Sequence, residues 1–286
     1  MLKRSAIKER FKKEFSFTAP KLSGTLKAKP ITANDQLIGT AFDYLLRFYL
    51  QQKNPNCITR KWVAESSVLR MDKIGKKDGD SKKMKQLLKE SKKTHADFLS
   101  DGKLDDKIIK TAIILGQMDM FKRIGKLHPD LGTVEEGDIE DLRNLISIVE
   151  PKLFISKKHC FLNPTFGSGS VWVGGADADL IVDDMLIDIK TTKHLSFTRD
   201  NFNQLIGYYV LSKLGKVNGL KYIQISKLGI YFSRYGILHT ISTEQIENHK
   251  NFPKFVRWFK KSAIDQTVKD MVNSTPKGRF MKELGF

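Results

Sequence analysis

Cysteine is nearly absent from this chain: Cys57 and Cys160 are the only two in 286 residues. Two thiols cannot build a four-cysteine zinc or iron–sulfur site, and in a cytosolic setting no disulfide between them is expected. No G-x-x-x-x-G-K-[ST] phosphate loop occurs, so any helicase motor would have to be a separate polypeptide. The six histidines show neither H-N-H nor H-E-x-x-H spacing. No apolar run is long enough to span a bilayer, and the first thirty residues lack the apolar stretch of a secretory signal. The expectation is a soluble, cytoplasmic protein with no membrane partner.

Acidic residues are also scarce. Only 32 Asp and Glu face 50 Lys and Arg, for a net charge of +18 and a pI near 9.7. A field of that sign attracts phosphates and makes binding strongly salt-dependent. The basic residues crowd three places: the N-terminal arm (Lys3, Arg4, Lys8, Arg10, Lys12, Lys13), the middle (Lys76, Lys77, Lys82, Lys83, Lys85, Lys89, Lys92, Lys93) and the C-terminal region (Lys254, Arg257, Lys260, Lys261, Lys277, Arg279). Each cluster equally suits a solvated lysine-rich face. Composition therefore supports a nucleic-acid partner without choosing DNA over RNA.

What is present in quantity is pattern, above all between Gly174 and Tyr208. Ala178 to Val182 and Met185 to Lys190 alternate as strands and are joined by Asp183 and Asp184, a two-residue hairpin loop. If Val182 pairs with Met185, then Ile181 meets Leu186, Leu180 meets Ile187, and Asp179 faces Asp188. Like charges opposite one another destabilise a sheet, so something positive must offset them. Lys190 projects on the same side as Asp188, while Ile187 and Ile189 point to the other side and a core. Hard divalent cations take oxygen ligands, and Mg²⁺ is commonly held by one or two carboxylates. Asp179 and Asp188 suit that role.

This arrangement, Asp179 followed by Asp188-Ile189-Lys190, resembles the core motif of the PD-(D/E)XK nuclease superfamily, and Gln204-Leu205-Ile206-Gly207-Tyr208 resembles the QxxxY signature of its RecB-like branch. The likeness covers residues 137 to 240 well and the rest loosely. It implies an α/β fold: a restriction-endonuclease-like core, that is, a central mixed β-sheet flanked by helices, with a helical N-terminal lobe. It implies that Asp179, Asp188 and the backbone carbonyl of Ile189 are metal ligands for Mg²⁺ or Mn²⁺. Lys190 would orient or activate the attacking water. Gln204 and Tyr208, four apart on one helical face, would touch the nucleic-acid strand; a tyrosine simply filling core is the alternative. The two cysteines exclude the cluster-bearing relatives.

Other acids leave alternatives open. Many RecB-like nucleases carry G-x-x-x-H on the first helix; this chain has Gly39-Thr40-Ala41-Phe42-Asp43. Asp43 suits a hard cation and equally suits the surface of an amphipathic helix. Asp141 borders the apolar face of an acid-rich helix formed by Ile139, Leu142, Leu145, Ile146 and Val149, where it could add a ligand or serve as an ordinary dipole complement. Asp177 faces Lys190 across the hairpin in the proposed register, as salt-bridge partner or ligand.

Periodicity predicts helices over Asp35 to Gln51, Ser81 to Ser100 and Leu104 to Gly125, and strands near Lys158 to Leu162, Ser170 to Val182, Met185 to Thr191, Tyr222 to Ser233 and Gly236 to Thr240. Phe252, Phe255, Val256, Phe259 and Ile264 outline an amphipathic C-terminal helix that caps the core or joins two protomers. The chain divides into an extended basic arm (1–30), a helical lobe (31–135), the nuclease core (136–245) and a basic helical segment (246–286). Phe197, Phe202, Tyr209, Tyr231, Tyr235 and Trp258 are candidates for base stacking. The functional expectation is a Mg²⁺-dependent deoxyribonuclease of recombination, repair, phage replication or defence, working with DNA and with a separate helicase or recombination protein. The alternatives are a catalytically silent nucleic-acid-binding module on the same fold, and an RNase.

Overall fold

Apolar positions recur at helical spacing through the first half of the chain and alternate through the second, and the two halves fold accordingly. The computed structural model describes residues 5–59, 61–74 and 78–274. Of the basic positions named above, Lys3, Arg4, Lys76, Lys77, Lys277 and Arg279 lie outside the described residues.

The chain opens with α1 (Ser5–Glu14), where an extended arm is expected. Ile7, Phe11 and Phe15 recur every four residues and are buried, a helical stripe hidden among lysines. Five helices follow: α2 (Asp35–Lys53), then, after the short strand β1 (Ile58–Thr59), α3 (Val63–Ile74), α4 (Asp78–Asp101), α5 (Asp106–Ile124) and α6 (Glu136–Ser147). α5 is well bounded: Asp105 accepts from the backbone N–H groups of Lys107 and Ile108, and Gly125 closes it at φ 72°, the left-handed conformation that glycine adopts without penalty. Gly116 lets α5 approach α2, since a Cβ there would stand 3.3 Å from the Ala41 nitrogen.

The second half supplies β2 (Cys160–Leu162), α7 (Ser168–Trp172), β3 (Leu180–Val182), β4 (Met185–Lys190), α8 (Arg199–Leu214), β5 (Lys227–Phe232), β6 (Ile237–Ser242), α9 (Glu244–Glu247) and α10 (Phe252–Ser274). With β1 they build one six-stranded mixed sheet in the order β1-β2-β3-β4-β5-β6. The β1/β2 and β4/β5 pairs are parallel and the others antiparallel. The β3–β4 register is the one the sequence predicts: Val182 opposite Met185, Ile181 opposite Leu186, Leu180 opposite Ile187. The long strand expected from Ser170 does not form; Ser168–Trp172 turns as a helix, with the Ser170 hydroxyl accepting from the Phe166 N–H and donating to the Ala176 carbonyl.

Both faces of the sheet are covered, giving an α/β sandwich of helix, sheet and helix. Leu180, Val182, Ile187 and Tyr231 face the core shared with α2, α5 and α6. Ile181, Leu186, Leu228 and Ile230 face the core shared with α1, α8 and α10. Phe255 and Phe259 of α10 meet Phe11 of α1 edge-on at 4.9 and 6.1 Å between ring centres, so the C-terminal helix caps this core. Among the proposed stacking aromatics, Phe197, Tyr209, Tyr231 and Tyr235 are buried there and in the opposite core, which removes them from any exposed groove.

One further expectation is corrected. Cys57 and Cys160 are joined as a disulfide, their Cα atoms 4.6 Å apart. The cause is β1, a strand too short to see in the sequence, whose parallel pairing with β2 sets the two cysteines side by side. The acidic helix α6 packs on α2 and α5 and shares with them the core that faces the sheet. No helix among the described residues is long and apolar enough to cross a membrane.

Candidate active site

The tight turn Asp183-Asp184 fixes where the hairpin's acids go. Asp183 takes φ 53°, a conformation aspartate tolerates better than most residues. Its carboxylate accepts from the backbone N–H groups of Lys157, Lys158 and His159 at 2.7 to 3.1 Å. Burial raises the Asp183 proton affinity, but these three donors outweigh it and the pKa falls below the usual carboxylate range. The Asp184 carboxylate accepts from the Ser226 hydroxyl. Both turn acids thus staple the far end of the hairpin to its neighbours, leaving Asp179 and Asp188 at the other end.

Those two converge. Asp188 is 2 % exposed, and the Asp179 Oδ2 accepts from the Ile189 N–H at 2.6 Å. Burial, then the Asp188 charge, then the Asp43 charge push the Asp179 carboxyl well above the ordinary value. Burial and the Asp43 charge raise Asp188 as well, against the opposing pull of Lys190. The two acids therefore lie within Coulombic reach of each other and of α2.

Lys190 carries the offsetting charge that the facing acids require. Its Nζ stands 2.6 Å from the Asp188 Oδ2 and donates to the Gln204 Oε1 at 3.0 Å. Gln204 Nε2 donates in turn to the Tyr208 hydroxyl at 3.0 Å. One turn of α8 thus continues a chain of contacts from Asp188 through Lys190 and Gln204 to Tyr208. Burial, followed by the charges of Asp179 and Asp188, raises the Tyr208 pKa, which keeps this phenol neutral and able to donate.

Asp43 reaches the same neighbourhood from α2. Gly39, one turn earlier, packs against the end of β4, where a Cβ would lie 3.9 Å from the Thr191 Cβ. Asp43 Oδ2 is bound by Arg47 Nη2 at 2.5 Å, and its Oδ1 is buried without a hydrogen-bond partner. Arg47, 5 % exposed at its side chain, is missed by sequence reasoning; its charge also acts on Asp179 and Asp119. The only sequence signal for it is the i, i+4 spacing from Asp43.

Asp141 is placed elsewhere. Its Oδ1 accepts from Arg234 Nη1 at 2.7 Å, and its Oδ2 from Arg234 Nη2 at 3.0 Å and the Ile31 N–H at 3.2 Å. That pair leaves it no oxygen for the hairpin. Asp177 does not pair with Lys190; it forms an isolated bridge with Thr165, and Arg47 and Arg123 are the cations that act on it. Lys190 is spent on Asp188 and Gln204 instead.

No protein-family model matches the chain, and no curated protein or solved structure matches it. Among the described residues, no three His, Cys, Asp or Glu side chains are grouped so as to hold a metal ion. What the hairpin offers is smaller: two crowded carboxylates, a lysine between them and an amide, and a third carboxylate neutralised by an arginine.

Proposed function

We propose that this chain is a metal-dependent nuclease that hydrolyses DNA phosphodiester bonds on a restriction-endonuclease-like core of the PD-(D/E)XK, RecB-like type. The observation that carries the reading is the contact chain Asp188–Lys190–Gln204–Tyr208 beside Asp179. Two buried acids with raised proton affinity in contact with a lysine are an arrangement that sheets otherwise avoid.

Hard oxygen donors suit Mg²⁺ or Mn²⁺. Asp179, Asp188 and the Ile189 carbonyl would hold the ion, and Asp43, whose Oδ1 is unpartnered, adds its charge to both acids from α2. A divalent cation so placed lowers the pKa of bound water and neutralises charge developing on the phosphoryl oxygens. Lys190, with no carbon beyond its ammonium to obstruct water, holds a positive charge and a donor proton at the Asp188 carboxylate. Hydrolysis adds water oxygen to phosphorus and breaks one P–O ester bond, the departing alkoxide taking a proton. Gln204 keeps Lys190 aimed, and Tyr208 offers its hydroxyl to the strand.

A second reading, a silent DNA-binding module, is favoured by one observation: each acid here already has a partner, Arg47 for Asp43, Lys190 for Asp188 and the Ile189 N–H for Asp179. The net charge of +18 suits either reading. The deciding experiment is cleavage of linear and circular DNA, single- and double-stranded, with Mg²⁺, Mn²⁺ or EDTA, beside Lys190→Ala. Metal-dependent cutting lost in the variant supports the enzyme, and survival of circles marks it as end-dependent. Salt-sensitive binding without cutting supports the module.

A further inference from the structure

The outer side of the Gln204–Tyr208 turn borders a cavity of about 430 Å³ that the reading above does not use. It runs along one stripe of α8, in which Asn203, Gly207 and Leu211 recur every four residues with Gln204 and Tyr208 beside them, and is also lined by Phe259 of α10. Gly207 contributes only backbone to the lining, between Gln204 and Leu211 in the chain. Its other wall contains Gly175, at φ 102° with open space where a Cβ would point, only four residues before Asp179.

The chemistry of the lining is selective. Leu211, Phe259 and the Tyr208 ring are apolar; Asn203 and Gln204 bring amides. Asn203 is 5 % exposed, and its Oδ1 has no hydrogen-bond partner. An unsatisfied buried amide oxygen costs free energy until something donates to it. Among the described residues the lining has a single cation, Lys8, which Asp200 already holds at 2.9 Å. Among the described lining residues a phosphate would find no free positive charge, whereas a flat, partly apolar group with N–H donors on its edge would find a ring, apolar walls and the unpartnered Asn203 oxygen. Amide side chains and aromatic faces are the groups proteins use for base edges and base faces. Gln204 also binds the Lys190 Nζ at 3.0 Å, and Lys190 reaches Asp188 at 2.6 Å, so two side chains in contact link the cavity to the hairpin acids.

We propose that this cavity receives an unpaired nucleobase of the strand whose phosphate lies at Asp179 and Asp188, so that the protein selects single-stranded or frayed DNA over intact duplex. The proposal rests on the nuclease reading for its substrate, and its test needs no cleavage. A base held in a duplex is stacked and paired and cannot enter; an unpaired base enters without paying for unstacking.

The experiment measures binding of the full chain, in EDTA, to a fluorescent single-stranded oligomer, to the same oligomer made wholly of abasic sites, and to a blunt duplex. The two single strands carry the same phosphates. The expected result is about tenfold weaker binding of the abasic strand. That preference should fall below about twofold in Gly207→Leu, persist in Gly207→Ala, and shrink in Asn203→Ala. Equal affinity for base-bearing and abasic strands overturns the proposal, as does a base preference that Gly207→Leu and Asn203→Ala leave intact, or tighter binding of duplex than of single strand. Thermal melts identify a variant that fails to fold, in which case the other variant and the wild-type comparison decide. Loss of the nuclease reading would appear separately, as absent Mg²⁺-dependent cutting with this base preference still measurable.

Discussion

Two buried acid–base clusters lie in this molecule, and they are built in opposite ways. At Asp141 and Arg234, 0 % and 1 % exposed, each carboxylate oxygen meets its own guanidinium nitrogen, and the Ile31 N–H and Ala28 carbonyl take up remaining capacity. Charge is matched, with the Arg234 Nε the one buried nitrogen of the pair left without a hydrogen-bond partner, and the pair joins α6, the β5–β6 turn and the segment leading into α2. At Asp179 and Asp188, two carboxylates share one lysine, a third acid adds its charge from α2, and proton affinities rise. A matched pair holds structure; a mismatched one stores free energy that a cation would release.

The sharpest way to break the comparison is to remove members of each cluster. Asp188→Ala and Lys190→Ala should each lower metal-dependent DNA cleavage by about a thousandfold, read by single-turnover cutting of a labelled strand. Melting temperature should rise in Asp188→Ala, because the repulsion with Asp179 disappears, and fall in Lys190→Ala, which leaves two crowded carboxylates without their cation. Retained cleavage in either variant would remove the hairpin from the active site. Arg234→Met should do the reverse: leaving Asp141 buried and unpaired costs about 3–5 kcal/mol, seen as a lower urea midpoint, with cutting per folded molecule preserved. The double variant Asp141→Leu/Arg234→Met should recover most of that loss, since a well-packed apolar pair replaces an ion pair at little cost. Additive losses would show that packing around Arg234, and not charge pairing, holds the junction.

Arg47 sharpens the comparison because it belongs to both kinds of cluster. It satisfies one oxygen of Asp43, stacks over the Tyr44 ring at 4.5 Å, and acts on Asp179. Arg47→Met should cost about 1.5–3 kcal/mol of stability and also weaken cleavage, whereas Arg234→Met should touch stability alone. Urea denaturation and single-turnover cutting on the same samples separate the two; unchanged cleavage in Arg47→Met would place Arg47 outside the site.

The mismatched cluster was the more legible of the two. Alternation and a two-residue turn set the β3–β4 register, and register alone brings Asp179 and Asp188 together with Lys190 beside them. Gln204 and Tyr208 follow from four-residue spacing on a helix. These are local signals. Asp141 and Arg234 are 93 residues apart, so the border position of Asp141 on an apolar helix could not reveal its partner. Two-residue β1 carries no periodicity and depends on a parallel neighbour more than a hundred residues on, which is why the cysteine pair was not foreseen. The Val171-Trp172-Val173 run reads as strand, yet Gly174 and Gly175, at φ 80° and 102°, and the Ser170 hydroxyl bonds favour a short helix and turn. The α1 stripe was present but outweighed by the lysines around it.

The smallest expected effect concerns a third buried acid, intermediate between the two clusters. Asp119 accepts from the Tyr44 hydroxyl at 2.7 Å and lies 3.5 Å from Arg123. Burial nevertheless raises it from 3.8 to about 6, against the lowering from Tyr44, Arg123 and Arg47. A carboxyl whose folded pKa exceeds its unfolded one binds more protons when folded, so its contribution to stability is full below about pH 4 and is lost as pH rises to about 6. His95 works oppositely: burial lowers it from 6.5 to about 4, and its contribution is lost as pH falls through that window. Between pH 4 and 6 these two contributions therefore oppose one another. Asp119→Asn, which keeps an acceptor for Tyr44, should uncover the histidine slope and gain about 1–2 kcal/mol relative to wild type at pH 7. If urea denaturation shows the two proteins running parallel across pH 4 to 7, Asp119 is charged in the fold at an ordinary pKa and belongs with the matched cluster.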